Sequence, residues 1–364
     1  MTKLYVSKFL LYIIRNISKY AMKELLIGDM HFGIKTNSTY WLDTQIDFFE
    51  KQIFDTIDKN PDLDRVVFLG DLFDIRYSIN QQIGIEVKNI IRKLANKFQY
   101  PKEIIFLCGN HDYYSPLEEF DNYNAYELVF GDEFKKCYPH IRFIEREPYL
   151  DKEGGLFLPW YWTENPDHFD DLLYQYKFGS EVKAIYCHAD LSIWPGGRIS
   201  SLKGIPVYSG HIHYLYDDEL GNLHNLGAAL QLTFGDTNQP RYLYILKDFK
   251  IVEKIENITT PKFKRIYNDE IFKATEEDFY NSYMQICVSS SNINKAQYID
   301  QIKLLKTSYT FANIRLHIID DEEIDKPIVS AEGFNTNITD YIEKNIPEHL
   351  NDKYNILKEK LQNN

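Results

Sequence analysis

Five short apolar segments of this 364-residue chain each run into a polar cluster, and this repeated pattern restricts the fold more than any other feature. A glycine separates the apolar from the polar residues in four of the five, which occupy positions 25–27, 66–69, 104–108, 184–187 and 207–209. Short apolar runs of this kind are typical of strands that are buried on both faces of a parallel sheet. The polar residues would then lie at the carboxyl edge of the sheet, where α/β proteins bind their ligands.

The polar clusters contain seven residues that can bind metal ions: Asp29, His31, Asp71, Asn110, His188, His211 and His213. Carboxylate, amide oxygen and imidazole ligands suit manganese, iron, zinc or nickel, whereas a thiolate-rich set would indicate structural zinc. Seven ligands serve two cations only if one carboxylate bridges them, and Asp71 is the candidate because it stands alone after its strand. Two cations ~3.5–4 Å apart stabilise the attacking and leaving oxygens of a phosphoryl displacement. The pattern therefore predicts a two-metal hydrolase.

Each cluster also has an interpretation without a metal. An Asp after a strand and a glycine is usually a turn or helix-capping residue, and His188 could be a hydrogen-bonded core histidine. His211 and His213 could be half-exposed imidazoles on one side of a strand. Five such clusters in order, all at predicted strand ends, favour the metal site over these separate explanations.

The motif order resembles that of the calcineurin-like metallophosphoesterase superfamily. The motifs are Asp29-x-His31, Gly70-Asp71-x-x-Asp74, Gly109-Asn110-His111-Asp112, His188 and Gly210-His211-x-His213. Within it, the chain is most similar to the SbcD-type DNA repair nucleases and to the small subunits of tailed-phage recombination endonucleases. The narrower resemblance depends on three stretches, at 70–76, 158–160 and 235–241. The resemblance to the superfamily as a whole covers about residues 22–270.

The resemblance implies roles for individual residues. One cation would be held by Asp29, His31, Asp71 and His213, and the other by Asp71, Asn110, His188 and His211. His111 would be the general acid near the leaving oxygen, or a stabiliser of the transition-state phosphate, with Asp112 orienting its ring. Many cellular members carry a histidine where this chain has Asp74, so Asp74 is expected to support a ligand or to cap a helix.

The hydrophobic periodicity predicts an α/β fold. Strands are predicted near 23–28, 64–69, 103–108, 182–187 and 205–209, alternating with amphipathic helices near 40–59, 81–99, 117–130 and 166–178. From 205 onward the pattern changes to short strands, at 212–217, 222–226, 229–234, 241–247 and 249–256. This run predicts a second sheet that closes a four-layer α-β-β-α sandwich, the metallophosphoesterase domain of residues 22–260.

The C-terminal third predicts two further parts. Residues 261–331 offer a strand at 263–267, a helix at 293–306 and a strand at 312–319, which indicate a small α+β cap. A domain at this place in the family lies beside the metal cleft and helps to select DNA. Its aromatic and basic residues could contact DNA, although an alternating edge strand explains them equally well: Phe263, Lys264, Arg265 and Tyr267.

The two ends of the chain have their own patterns. Residues 332–364 contain two amphipathic helical segments broken by Pro347, which either pack on the cap or bind a partner. Residues 1–21 contain an apolar run of about six residues that Arg15 interrupts, shorter than the ~7–15 of a signal peptide. They are therefore predicted to be a dispensable extension.

Composition limits the partners and the compartment. The chain has 41 basic and 54 acidic residues, a net charge of −13, which argues against tight autonomous binding to DNA. A partner would then supply positive surface. The four cysteines show no paired spacing, so they indicate neither a disulfide framework nor a zinc knuckle. A cytoplasmic protein without a membrane segment is expected.

The predicted function is that of a metal-dependent DNA exonuclease or endonuclease subunit. It would use two divalent ions, expected to be Mn²⁺, and act in recombination and repair with an SMC-like ATPase. DNA and the ATPase are the expected partners, and a homodimer is one option for the oligomeric state. The alternatives are a phosphomonoesterase or cyclic-nucleotide phosphodiesterase, which would have little need of residues after 262, and a metal-free binding scaffold, which would lack ligands that this chain retains.

Overall fold

A computed structural model describes residues 21–74, 76–114, 123–164, 168, 171, 174–191, 202, 204–217, 222–310 and 313–319. The predicted N-terminal extension and the predicted partner-binding tail therefore lie outside the described residues, except for Ala21. So do six of the thirteen residues of the predicted helix at 166–178, and residues 117–122 of the one at 117–130.

The strands are numbered in chain order. They are β1 (Lys23–Ile27), β2 (Arg65–Phe68), β3 (Glu103–Leu107), β4 (Ile141–Ile144), β5 (Tyr149–Leu150), β6 (Gly155–Leu158), β7 (Ala184–His188), β8 (Val207–Gly210), β9 (Tyr216–Asp217), β10 (Leu223–Asn225), β11 (Tyr242–Lys247), β12 (Lys250–Glu256), β13 (Lys262–Tyr267), β14 (Ser282–Ser289) and β15 (Asn313–Ile319). The five strands that precede the polar clusters are β1, β2, β3, β7 and β8, as predicted.

The helices lie between the strands. They are α1 (Thr39–Phe48), α2 (Phe54–Lys59), α3 (Gln81–Lys97), α4 (Ala125–Val129), α5 (Gly131–Cys137), α6 (Trp160–Glu164), α7 (Glu276–Phe279) and α8 (Ala296–Ser308). A π-helical turn at Phe49–Ile53 joins α1 to α2, which together match the predicted helix at 40–59. The Asn80 side chain caps α3 by accepting a hydrogen bond from the Gln82 N–H at 2.8 Å. No helix among the described residues is long and apolar enough to cross a membrane.

Two six-stranded sheets form the core. The first has the order β12-β11-β1-β2-β3-β4, in which β1 to β4 are parallel and β11 is antiparallel to β1. The second has the order β5-β6-β7-β8-β10-β9, in which β6, β7, β8 and β10 are parallel. The predicted mixed α/β fold with two sheets is confirmed.

Part of the predicted strand assignment was wrong. The strands after residue 205 do not form a sheet of their own: β8 to β10 extend the second sheet, whereas β11 and β12 return to the first. The predicted strand at 229–234 does not form. The chain there is irregular and enters a 3₁₀ turn at Phe234–Asp236, which Asp236 caps by accepting hydrogen bonds from the Leu232 and Thr233 N–H groups, each at 2.8 Å.

Three apolar clusters separate the layers. In β1, Leu25 and Ile27 belong to a cluster that includes helix residues such as Val87, whereas Leu26 faces a second cluster with Tyr186 of the other sheet. A third cluster covers the far face of the second sheet. Successive strand residues point to opposite faces, so both sheets are buried on two sides. This explains why the apolar runs are continuous rather than alternating.

The C-terminal described residues contain a three-stranded sheet of order β13-β14-β15. The predicted strand, helix and strand of the cap correspond to β13, α8 and β15, while the central strand β14 was missed. By compactness the described chain separates into a larger unit of residues 21–265, 275–285 and 313, and a smaller unit of residues 266–274, 286–310 and 314–319. The predicted domain boundary at 260/261 stays a prediction.

Phe263 belongs to the core of the larger unit. Its side chain is buried, and its ring stacks on Trp41 with centroids 5.8 Å apart and an interplanar angle of 15°. For Phe263 the alternating edge strand, and not a contact with DNA, is therefore the correct interpretation.

Candidate metal centre

The seven predicted ligands meet at the carboxyl ends of strands from both sheets. Asp29 and His31 follow β1, Asp71 follows β2 and Asn110 follows β3 in the first sheet. His188 is the last residue of β7, and His211 and His213 follow β8 in the second. Because β8 ends at Gly210, His211 and His213 lie in a loop. They do not share one side of a strand, which was the alternative that the sequence left open.

A first ligand group consists of Asp29, His31 and His213, whose potential ligand atoms all lie within 4.8 Å of one another. Nε2 of His31 is 3.0 Å from Nε2 of His213, and Nε2 of His213 is 3.8 Å from Oδ2 of Asp29. Two imidazole nitrogens and a carboxylate oxygen therefore converge on one small space.

A second ligand group consists of Asp71, His188 and His211, joined by Asn110. Nε2 of His188 is 3.3 Å from Oδ1 of Asp71, and the side-chain oxygen of Asn110 is 2.9 Å from both Nε2 of His188 and Nδ1 of His211. Hydrogen bonding alone would favour the opposite orientation of the Asn110 amide, with its nitrogen donating to both imidazoles. A cation beside the Asn110 oxygen would favour the orientation seen here, whereas the guanidinium of Arg76, 2.6 Å from the amide nitrogen, favours the flipped one.

Asp71 contacts both groups. Its Oδ2 is 3.6 Å from Nε2 of His31, and its Oδ1 accepts a hydrogen bond from the His111 N–H at 2.8 Å. His31, Asp71 and His211 all have positive φ values, of 50°, 47° and 81°. Left-handed backbone at non-glycine residues costs of order 1–3 kcal/mol each and is typical of functional sites. Because Asp71 contacts both ligand groups, it lies where a bridging ligand would have to be.

The glycines of the motifs allow the clusters to interlock. A Cβ on Gly109 would lie 2.2 Å from Oδ1 of Asp71, and one on Gly70 would lie 2.3 Å from Nδ1 of His188. A Cβ on Gly210 would lie 2.3 Å from Oδ1 of Asp29. Each glycine thus leaves room for a ligand from a different motif, which is the physical reason for the strand-glycine-polar pattern.

Asp74 contacts two histidines of the site. Its Oδ1 lies 3.1 Å from Nδ1 of His31, and its backbone carbonyl accepts a hydrogen bond from Nδ1 of His111 at 2.5 Å. A carboxylate on the far nitrogen of a metal-binding histidine fixes the ring and its tautomer. Asp74 is therefore placed to support His31, which is one of its two predicted roles, and the role itself stays a prediction.

The role predicted for Asp112 was wrong. Its buried carboxylate does not orient the His111 ring but accepts hydrogen bonds from the Gly109 N–H at 2.9 Å, the Phe73 N–H at 3.0 Å and the Tyr126 hydroxyl at 3.0 Å. The His111 ring meets the Asp74 carbonyl instead. Asp112 joins the β2 and β3 loops and so positions Asp71 and Asn110.

Burial and charge shape the electrostatics of the site. Burial raises the pKa of Asp29 to about 7, whereas burial lowers the pKa of His213 to about 3 and that of His211 to about 4. Burial opposes a charged His188, yet the charge of Asp71 outweighs it and raises the pKa of His188 to about 9. His211 and His213 are thus neutral at pH 7, as metal ligands must be.

The ligand atoms fit divalent cations. The negative charge of Asp71, which raises the pKa of His188, attracts positive charge to the second ligand group. A cation can therefore replace the proton of His188. All the atoms are oxygen or imidazole nitrogen, which suits the metals expected from the sequence and excludes a thiolate site. The two groups lie against each other through Asp71, so the arrangement can hold two ions.

Comparison with known proteins identifies the family. The sequence profile of the family described as Calcineurin-like phosphoesterase matches residues 22–223, more than half of the chain. The chain belongs to this family. The resemblance inferred from the motifs is confirmed, and the chain is a phosphoesterase whose relatives use divalent metals.

Two curated proteins are similar to this calcineurin-like phosphoesterase. Exonuclease subunit 1 of Enterobacteria phage T4 is 25% identical over 291 residues, which cover 78% of this chain and 81% of that protein. The SbcD subunit of nuclease SbcCD from Staphylococcus saprophyticus is 22% identical over 304 residues, which cover 73% of this chain and 75% of that protein. Both belong to the groups that the motifs indicated.

Solved structures match more weakly. TT1561 of Thermus thermophilus has a TM-score of 0.37 and 11% identity, and the match covers 65% of this chain and 99% of that one. The nuclease MPE of Pseudomonas putida has a TM-score of 0.28 and 14% identity, with 63% and 86% covered. These similarities are too low to bear on function.

One residue at the site, Arg76, was not predicted from the sequence. Nη2 of Arg76 lies 2.6 Å from the terminal amide nitrogen of Asn110, a position that the acceptor oxygen takes when the amide is flipped, so a guanidinium lies beside the second ligand group. Its position two residues after Asp74 could have indicated a phosphate contact, because a basic residue within a metal-binding motif can bind phosphate. Without the loop geometry, however, its direction is not defined.

Proposed function

We propose that this phosphoesterase is a DNA nuclease subunit that hydrolyses phosphodiester bonds with two divalent metal ions. The observation that carries the proposal is the pair of ligand groups that meet at Asp71. The names of two relatives, an exonuclease subunit and a nuclease subunit, support a nucleic acid as the substrate, and the resemblance of the motifs to the SbcD-type DNA repair nucleases implies DNA.

The ligand sets follow the contacts around each group. Asp29, His31, Asp71 and His213 would hold one ion, and Asp71, Asn110, His188 and His211 the other. When bound, the two ions would supply Lewis-acid activation of the phosphate and of the attacking water. Mn²⁺ is the ion we propose, because it accepts carboxylate, amide and imidazole ligands together.

His111 would handle the proton of the leaving group. Because Nδ1 of its ring donates to the Asp74 carbonyl, Nε2 is the atom from which a proton can pass to the leaving oxygen. His31, Asp71 and His111 also form a group of potential ligand atoms within 4.8 Å, so a ligand role for His111 is the competing assignment. Arg76 would bind a phosphate oxygen beside the second ion.

A partner would complete the enzyme. Both relatives are named as subunits, and the net charge of −13 leaves this chain with little affinity of its own for a polyanion. We propose an SMC-like ATPase as that partner, with residues 332–364 as its docking element. Removal of 332–364 should abolish co-purification with the ATPase while manganese-dependent hydrolysis of short single strands persists. A truncated protein that still binds the ATPase at full strength would refute the docking role.

The test uses the purified full chain with Mn²⁺ on end-labelled single- and double-stranded DNA, in parallel with a chromogenic phosphomonoester. Cleavage of DNA, lost after addition of EDTA and restored by excess Mn²⁺, is expected. Activity on the phosphomonoester alone would replace the nuclease with a phosphomonoesterase. No activity on either substrate together with no bound metal would favour the scaffold.

A further inference from the structure

Three tyrosines form an exposed aromatic cluster next to the metal-binding loops. Tyr77, Tyr114 and Tyr123 are 69%, 41% and 64% exposed, unlike the buried aromatic side chains of the core. The rings of Tyr77 and Tyr114 meet edge to face, with centroids 5.6 Å apart, and those of Tyr114 and Tyr123 do so at 6.3 Å. At 69% and 64% exposed, Tyr77 and Tyr123 keep most of their surface in solvent, and an edge-to-face contact covers only part of a ring.

The cluster is tied closely to the site. Tyr77 comes three residues after Asp74, and Tyr114 comes three residues after His111, so each is at most ~11 Å of chain away. The Tyr114 N–H donates to the Tyr123 carbonyl at 2.9 Å, and the Ala125 N–H donates to the Asp112 carbonyl at 2.7 Å. These bonds hold the tyrosines in position relative to the β3 loop.

The net charge decides what kind of contact the cluster can make. A chain with a net charge of −13 gains little from ion pairs with a polyanion outside the metal centre, so an uncharged interaction is what would strengthen binding beside it. Stacking of bases on aromatic rings is such an interaction, and it tolerates any base sequence. Arg76, between Asp74 and Tyr77 in the sequence, could bind a phosphate of the same strand.

We propose that Tyr77, Tyr114 and Tyr123 form a stacking platform for unpaired bases next to the scissile phosphate. The inference rests on the proposed nuclease function and names its substrate as a single strand or a frayed end. Bases in a paired duplex are stacked on one another and have no face to offer, so intact duplex would not engage the platform.

The experiment compares two oligonucleotides with the same phosphates. An oligothymidylate of about twelve nucleotides and a fully abasic strand of equal length are bound to the full chain in Ca²⁺, with fluorescence anisotropy as readout and recovery of intact DNA checked by gel. The wild-type protein should bind the oligothymidylate roughly 5- to 150-fold more tightly, the effect of one stacked base. The preference should persist at high salt, since stacking involves no charge.

Variants locate the effect. Tyr77→Ala should reduce this preference, and Tyr77→Trp should restore it because indole also stacks. Tyr100→Ala is the matched control, since Tyr100 is 83% exposed but lies before the amino end of β3, at the opposite edge of the sheet. Melting temperature is measured for each variant, and Tyr123→Ala replaces Tyr77→Ala if the latter does not fold.

The outcomes separate this inference from the proposed function. Cleavage of both strands by the wild type in Mn²⁺ without any preference for bases would overturn the platform and leave the nuclease standing. An unchanged preference in both Tyr77→Ala and Tyr123→Ala would also overturn it. Absence of cleavage of any DNA would instead overturn the nuclease function.

Discussion

Oδ1 of Asp74 lies 3.1 Å from Nδ1 of His31, on the side of the imidazole ring opposite to His213. One nitrogen of His31 therefore faces the first ligand group while the other is held by a carboxylate. Asp74 contacts a member of the first ligand group without belonging to either group.

Replacement of Asp74 by Ala should weaken metal binding. Loss of the carboxylate leaves the His31 ring free to rotate, and such supporting groups contribute ~10–100-fold to metal affinity. Titration of the protein with Mn²⁺ measures the change directly. Cleavage by the variant should recover at saturating Mn²⁺, and an affinity equal to that of the wild type would refute the supporting role.

Replacement of Asp71 by Asn should remove the metal pair. The change deletes the one negative charge that both ligand groups share, so several kcal/mol of stabilisation, ~10³-fold or more in turnover, should be lost. Asn tolerates positive φ, so the fold should persist. The control is Asp248→Asn, an exposed aspartate with the same φ of 47°, and metal content is measured by mass spectrometry. Two bound metals with normal cleavage would exclude Asp71 as the bridge.

Replacement of His111 by Gln should separate chemistry from metal binding. If His111 donates a proton, metal content should stay unchanged while turnover falls ~10²–10⁴-fold, the usual effect of a general acid. Single-turnover rates at saturating metal measure this. If metal content falls as well, His111 is a ligand, as its place beside His31 and Asp71 also allows.

Two Gly-to-Ala changes should have opposite effects. A methyl on Gly109 would lie 2.2 Å from Oδ1 of Asp71, so Gly109→Ala should displace the ligand and destabilise the fold by ~1–3 kcal/mol or more. In α3, a methyl on Gly84 would meet Ile79 at an ordinary 3.5 Å, so Gly84→Ala should stabilise by ~1 kcal/mol. Urea unfolding and metal content measure both. Normal metal binding by Gly109→Ala would contradict the interlocking of the motifs.

Glu24 should make stability depend on pH. Its carboxylate lies between Arg65 at 3.0 Å and the Tyr186 hydroxyl at 2.5 Å, and burial raises its pKa from 4.5 to about 7. Between pH 4.5 and about 7, Glu24 therefore keeps a proton in the folded state that it has released in the unfolded state. The contribution of Glu24 to stability is present below pH 4.5 and should fall by about 3 kcal/mol as pH rises to about 7.

Urea unfolding of Glu24→Gln from pH 4.5 to 8 tests this. The free energy of unfolding of the variant should lack that fall, so its difference from the wild type should grow with pH. Glu103→Gln is the control, because Glu103 also pairs with Arg65, at 3.3 Å, but its side chain is 39% exposed. Parallel pH profiles for the wild type and Glu24→Gln would contradict the raised pKa.

The sequence by itself determined the strands that build the site and the residues that meet there. Apolar runs ended by glycine and a ligand residue are local signals, and parallel strands necessarily bring their carboxyl ends together. It did not determine the sheet to which β11 and β12 belong, because the hydrophobic pattern of a strand does not encode its neighbour. It also left the partner of the His111 ring undefined, since the left-handed turn at Asp71 and the hydrogen bonds of Asp112 direct those loops. Only the tertiary structure brought Arg76 to Asn110 and set the three tyrosines beside the metal ligands, because such contacts between loops depend on the packing of strands far apart in the chain.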